Sequence, residues 1–240
     1  MHVLATDLDG TFLAGSDTAR QTLIQHFLQH PERRLLYVTG RSVNSVLSLI
    51  RAGRLPIPDG MICDVGTTVA CAQGKELPGA AHAAAEAAWQ DRSTAVQAAL
   101  QGWSGLHLQE DFGPRRVSYT FSAGADLEGA SAQVRALGLE PLVSDNLYFD
   151  VLPPGINKGS TLQRWLNQHG WGLDDALAAG DTRNDLALLS AGCRAVMVGN
   201  AEAALRQELP VSERIYRARG EGCDGILEAC AHFALGLEAV

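Results

Sequence analysis

The chain has 240 residues, 46% of them hydrophobic and 19% charged, enough apolar material for an ordinary core and too little bias for a disordered or fibrous protein. At roughly 150 residues per domain it holds one large domain, or a core with a smaller inserted one. The formal net charge of −8 speaks against a nucleic-acid or anionic-membrane surface, while leaving room for a local basic pocket.

In chain order the recurring unit is a short apolar strand, a loop rich in Asp, Gly and Thr, then an amphipathic helix. Val3–Thr6 leads into Asp7-Leu8-Asp9-Gly10-Thr11 and a helix near 18–30; Leu35–Val38 leads into Thr39-Gly40-Arg41 and a helix near 43–52. Strands 61–65 and 68–70 follow. These runs barely alternate in polarity, which suits a parallel sheet covered on both faces. Later, a helix at 158–169, a strand at 176–179 running into Gly180-Asp181, a short helix at 186–191 and a strand at 194–198 restore the pattern. The texture changes between about Leu77 and Pro154. There an Ala-rich helix over 80–100, an alternating strand over 116–121, a helix over 127–137 and strands at 140–143 and 147–152 predict an antiparallel α+β layer. The expected fold class is α/β: a doubly wound, mostly parallel (Rossmann-like) core formed by residues 1–77 and 156–240, with an inserted α+β cap over 78–155.

Four segments carry candidate chemistry, each after a predicted strand or at a helix start. Asp7 and Asp9 stand two apart at the carboxyl end of the first strand, where open α/β sheets bind ligands. Two carboxylates there suit a nucleophile and an acid–base partner, and Gly10 and Thr11 offer a backbone N–H and a hydroxyl to an anion. The same pentapeptide also serves as an Asx-rich turn. Thr39 and Gly40 offer a hydroxyl and an N–H, although Thr-Gly is also a common cap sequence; Arg41 is expected to support the loop rather than touch a phosphate. Lys158 begins a helix, where a cation alone is unfavourable, and an anionic partner would relieve it. Asp181, Asn184 and Asp185 form a hard-oxygen set of the kind that holds Mg2+ together with waters and a phosphate; equally, Asp181 or Asn184 can cap a helix.

Taken in order, Asp7-x-Asp9-Gly10-Thr11, Thr39-Gly40, Lys158 and Gly180-Asp181-x-x-Asn184-Asp185 resemble the four motifs of the haloacid dehalogenase superfamily, and the likeness spans the whole chain. The resemblance implies an Mg2+-dependent phosphatase. In it Asp7 is the nucleophile that forms an aspartyl-phosphate, and Asp9 is the general acid and then base. Gly10, Thr39, Gly40, Lys158 and Asn184 bind the phosphoryl group. Asp7, the Asp9 carbonyl and Asp181 ligate the metal, with Asp185 behind them. Within that superfamily, 31 residues lie between Asp7 and Thr39 and 118 between Thr39 and Lys158, which places the cap in the second position, as in the sugar-phosphatase branch. The stretches Leu147–Gly159, Met197–Ala201 and Gly222–Leu227 with His232-Phe233 are similar to the sucrose-phosphate phosphatase group, whose relatives act on other glycosyl phosphates.

The implied partner is therefore a small phosphorylated sugar rather than nucleic acid or membrane. The rival readings are a sugar phosphomutase or phosphotransferase, and a noncatalytic sugar-phosphate sensor, which would need no nucleophile. On the cap, Gln109, Glu110, Asp111, Arg115, Arg116, Asn146 and Tyr148 are candidates for sugar hydroxyls; the four Trp are expected to pack. The five Cys include no C-x-x-C pair and the seven His show no ligand-like spacing, so neither a disulfide framework nor a zinc site is expected. With no signal-like start and no run near the roughly 20 residues of a membrane span, a cytoplasmic monomer is the expectation.

Overall fold

The structure, a computed structural model, describes residues 1–236; residues 237–240, which end the expected core, lie outside the described residues. In chain order it contains β1 (Val3–Thr6), α1 (Asp17–Gln29), β2 (Arg34–Val38), α2 (Val43–Arg51), β3 (Gly60–Cys63), β4 (Thr68–Ala70), α3 (Ala80–Trp89), α4 (Ser93–Ala99), β5 (Leu106–Leu108) and β6 (Val117–Phe121). Then come α5 (Leu127–Ala136), β7 (Glu140–Ser144), β8 (Tyr148–Leu152), α6 (Lys158–Gln168), β9 (Ala176–Gly180), α7 (Leu186–Leu189), β10 (Arg194–Met197), α8 (Ala203–Glu208), β11 (Ile215–Arg217) and α9 (Gly222–His232).

Seven strands form one sheet in the order β11-β10-β9-β1-β2-β3-β4, parallel throughout except for β4. Successive residues of a strand point to opposite faces, and both faces are apolar. Leu4, Leu35 and Tyr37 meet Leu23, Val46 and Ile226 of α1, α2 and α9. Val3, Ala5, Leu36 and Val38 meet Leu162, Leu188 and Leu205 of α6, α7 and α8. Helices on both faces make this the doubly wound α/β core that the barely alternating strands imply. The order reverses beside β1, so the crevice at its carboxyl end is the place where such sheets take ligands.

The second sheet, β5-β6-β8-β7, is antiparallel. Val117, Tyr119, Phe149 and Val151 face a separate core with Trp89, Val96 and Val134, while Ser118 and Asp150 turn to the opposite side, toward the first sheet. The single helix expected over 80–100 is two helices. Gln90 and Asp91 take left-handed conformations, φ 51° and 54°, and separate α3 from α4. An unbroken helix of that span would run about 31 Å, far past five-residue strands of about 17 Å; the break lets Trp89 and Val96 enter one core. Ala81, at the other end of α3, packs with Leu162 and Trp165, so α3 belongs to both layers.

Helix starts are fixed locally. Ser42 Oγ accepts from Ser45 N–H at 3.1 Å to begin α2, and Asn157 and Ser160 cap α6 reciprocally. Beyond Val198, α8, β11 and α9 complete the core. Among the described residues no helix is long and apolar enough to cross a membrane.

Candidate active site

Asp7 follows β1, Thr39 follows β2 and Asp181 follows β9. These strands are adjacent in the sheet, so parallel pairing alone brings three distant segments to one edge. After Asp7 the chain makes one widened turn, in which Phe12 N–H donates to Asp7 O at 3.2 Å and Leu13 N–H to Leu8 O at 2.9 Å. Gly10 sits in that turn at φ 75°, and a Cβ built there would lie 2.0 Å from Asp181 Oδ2. Only glycine meets both conditions. Asn200 Nδ2 donates to the Gly10 carbonyl at 2.7 Å and its Oδ1 accepts from Gly222 N–H at 2.9 Å, which ties the turn to α9. Thr11 departs from expectation: its hydroxyl does not face an anion site but is buried and donates to Asp181 Oδ1 at 2.7 Å, because the turn directs it inward.

Lys158 has no exposed surface. Its Nζ donates to Asp7 Oδ1 at 2.7 Å, Asn184 Oδ1 at 2.5 Å and Asp185 Oδ1 at 2.6 Å. Asp185 Oδ2 accepts from the N–H groups of Asp181 and Thr182 at 3.0 and 3.1 Å, so both of its oxygens are engaged. Burial pushes the Asp7 carboxyl well above the usual carboxylate range; Lys158 opposes that, and Asp185 and Asp181 add to it. Burial, reinforced by Asp185, pushes Asp181 up to about 7 against its bond from Thr11. Burial alone would lower the Lys158 ammonium, but Asp185 and Asp7 outweigh it and hold the group protonated. Ligand oxygens of Asp7, Asp181 and Asp185 lie within 4.8 Å of one another. Three buried carboxylates around one lysine are short of positive charge, and their hard oxygens are the donors that Mg2+ prefers; the residues present fit that ion.

Above this cluster opens a cavity of about 420 Å3, walled by both sheets. Of the residues expected at the site, Asp7, Asp9, Gly10, Thr39, Gly40, Asp181 and Asn184 line it, while Lys158 and Asp185 lie beneath the wall. Thr39 Oγ1 accepts from Arg41 N–H at 3.1 Å. Arg41 holds the neighbouring loop: its Nε and Nη2 grip Asp9 Oδ2 and Oδ1 at 2.6 and 2.7 Å, the fork geometry of guanidinium on carboxylate. From the second sheet Gln109, Asp111, Arg116 and Tyr148 line the cavity; Glu110, Arg115 and Asn146 do not. Arg115 is turned away onto Thr67 O, Glu76 and Glu86. Ser118, Ser144, Asp145 and Asp150 also line it. Strand alternation is the signal that finds Ser118 and Asp150, since their neighbours Val117, Tyr119, Phe149 and Val151 are apolar.

The model of the sucrose-6F-phosphate phosphohydrolase family matches residues 1–234. The chain belongs to that family. A solved structure shows the same architecture: the sucrose-phosphatase of Synechocystis, solved with sucrose and phosphate, superposes with a TM-score of 0.86 at 27% identity, covering 97% of each chain. Among curated relatives, the mannosylfructose-phosphate phosphatase of Agrobacterium fabrum is 28% identical over 98% of both chains. The glucosylglycerol-phosphate synthase of Pseudomonas anguilliseptica is 39% identical over 99% of this chain, which spans only 32% of that protein. The sucrose-phosphohydrolase likeness thus covers both sheets.

The buried charge cluster makes a direct prediction. Lys158→Met leaves Asp7 and Asp185 without a cation, and should cost about 3–5 kcal/mol of stability near pH 8. The carboxyls of Asp7 and Asp181 already sit high, and without Lys158 they take up protons more readily still, so the cost should shrink toward about pH 5. Urea unfolding at the two pH values measures both numbers.

Proposed function

We propose that the chain is an Mg2+-dependent phosphatase of a singly phosphorylated, otherwise uncharged sugar, working through an aspartyl-phosphate on Asp7. The observation that carries the proposal is the pairing of Asp7 and Asp9 on one cavity, with Asp7 anchored through one oxygen on Lys158. Oδ2 of Asp7 is the oxygen left to meet phosphorus. It forms the new O–P bond as the ester O–P bond breaks, and Asp9 gives a proton to the departing sugar oxygen. Asp9 then takes a proton from water, whose oxygen attacks phosphorus and frees Asp7. Gly10, Thr39, Gly40 and Asn184 hold phosphoryl oxygens at the cavity wall, and Lys158 offsets charge from beneath. Asp7 and Asp181 would hold Mg2+, which supplies the positive charge that lets an anionic nucleophile approach an anionic ester. Asp185, with both oxygens engaged, orients Lys158 and the 181–182 backbone.

In this reading residues 1–77 and 156–240 do the chemistry, and 78–155 form a cap that selects the leaving group and excludes bulk water. The cap wall carries Asp111, Asp145 and Asp150 against Arg116 alone. Such a wall repels a second anionic group and suits hydroxyls. Glucosylglycerol phosphate, mannosylfructose phosphate and sucrose 6-phosphate are the first esters to offer, in the order of the relatives' identities of 39%, 28% and 27%.

Phosphate release should be Mg2+-dependent, prefer one of these esters over fructose 1,6-bisphosphate by about tenfold or more, and fall about 10^3-fold or more in Asp7→Asn. Stoichiometric free phosphate separates hydrolysis from phosphoryl transfer to a second sugar, and its absence with every ester favours a sensor. The ion's own binding should follow pH. Below about 7 Asp181 retains a proton that the metal must displace; the rise in Tm on adding Mg2+ is therefore expected to be larger at about pH 8 than at about pH 6.

A further inference from the structure

Three consecutive core residues, Gly40, Arg41 and Ser42, are held in three different ways. The Gly40 carbonyl accepts from Nη1 of Arg116 at 2.8 Å. Ser42 Oγ donates to Asp111 Oδ2 at 2.6 Å. Between them Arg41 grips both oxygens of Asp9. Arg116 and Asp111 both come from the segment that joins β5 to β6, so the second layer clasps the tripeptide on either side of the one residue that holds the acid–base carboxylate.

Each part of the clasp is braced. The Arg116 side chain is 5% exposed, with Nη2 3.3 Å from Asp64 and Nη1 3.4 Å from Asp150. Asp64 occupies a turn at φ 53° and accepts Gly113 N–H at 2.8 Å. On the core side, Arg41 Nη1 donates to Ser45 Oγ at 2.8 Å, in the first turn of α2. Asp9, in contrast, is 57% exposed in its side chain, and Arg41 is its hydrogen-bond anchor. A fork on both oxygens transmits orientation: when the backbone at residues 40–42 turns, the guanidinium turns and the carboxylate follows. Displacing a reacting group by about 1 Å costs on the order of a hundredfold in rate.

We propose that Arg116 and Asp111 are positioning residues for the proton-transfer step: by clasping Gly40 and Ser42 they set Arg41, and through it Asp9, against the oxygen of the departing sugar. Protonation of the leaving group then depends on the seated cap. The inference rests on the phosphatase reading above.

The test compares kcat/KM for the best glycosyl phosphate, for phenyl phosphate and for p-nitrophenyl phosphate in wild type, Asp111→Ala and Arg116→Lys; phenyl phosphate makes no sugar contacts with the cap wall, yet its phenolate leaves more readily with a proton. A sugar alkoxide needs a proton as it leaves, whereas p-nitrophenolate does not. The ratios of sugar ester and of phenyl ester to p-nitrophenyl ester should both fall in both variants, the first by about tenfold or more. Unchanged ratios overturn the proposal, and so does a fall confined to the sugar ester, which lost wall contacts to the sugar would give by themselves. Asp111 is exposed, so Asp111→Ala decides the matter even where Arg116→Lys fails to fold; its thermal melt checks that. A wild-type chain that releases phosphate from none of these esters overturns the phosphatase reading itself, a result distinct from unchanged ratios.

Discussion

One lysine ammonium, without exposed surface, lies among the oxygens of Asp7, Asn184 and Asp185 at 2.5 to 2.7 Å, and three buried carboxylates crowd around it. Buried charge is costly unless paired and hydrogen-bonded, so everything near Lys158 has to be held in place. The cluster remains short of positive charge, as the raised carboxyls of Asp7 and Asp181 record. A divalent cation would make up the charge that Lys158 leaves unbalanced, and this shortfall is the physical basis of the proposed function.

The rest of the architecture serves that cluster. Asp7, Asp181 and the Lys158 helix start come from three distant parts of the chain, and adjacent parallel strands with a capped helix deliver them to one crevice. The glycine at position 10 lets the loop after Asp7 pass beside Asp181, and Asn200 ties the same loop to α9. The second sheet closes the opposite wall with a polar face, while its apolar face is buried against its own helices. In the proposed reading chemistry belongs to one layer and selection to the other, and the two meet at Gly40–Ser42.

Much of this is legible in the sequence, because the residues at issue sit where a strand ends. Short apolar runs before Asp7, Thr39 and Asp181 place those side chains at carboxyl ends, and the alternation in 117–121 and 148–152 marks a sheet with one polar face. The break in the Ala-rich helix is not legible: Gln90 and Asp91 carry no glycine or proline signal, and only the size of the sheet they cover forces the turn. For a related reason the sequence does not show what Arg41 holds. Its partner Asp9 lies 32 positions away, and local pattern says nothing about a side chain that reaches across two loops. Thr11 is misread because a widened turn, unlike a strand, does not reveal from sequence which way a side chain faces.

The claim on which the account stands is that Asp7 carries the phosphoryl group between the two half-reactions. Rapid quenching of the Mg2+-supplemented protein during turnover of its best sugar phosphate, followed by borohydride reduction and peptide mapping, reads that directly, since an acyl phosphate is reduced to an alcohol at the residue that bore it. The account predicts a reduced side chain at position 7, dependent on substrate and on Mg2+. Phosphate release at full rate with position 7 unmodified, or with the group trapped on another residue, would contradict it.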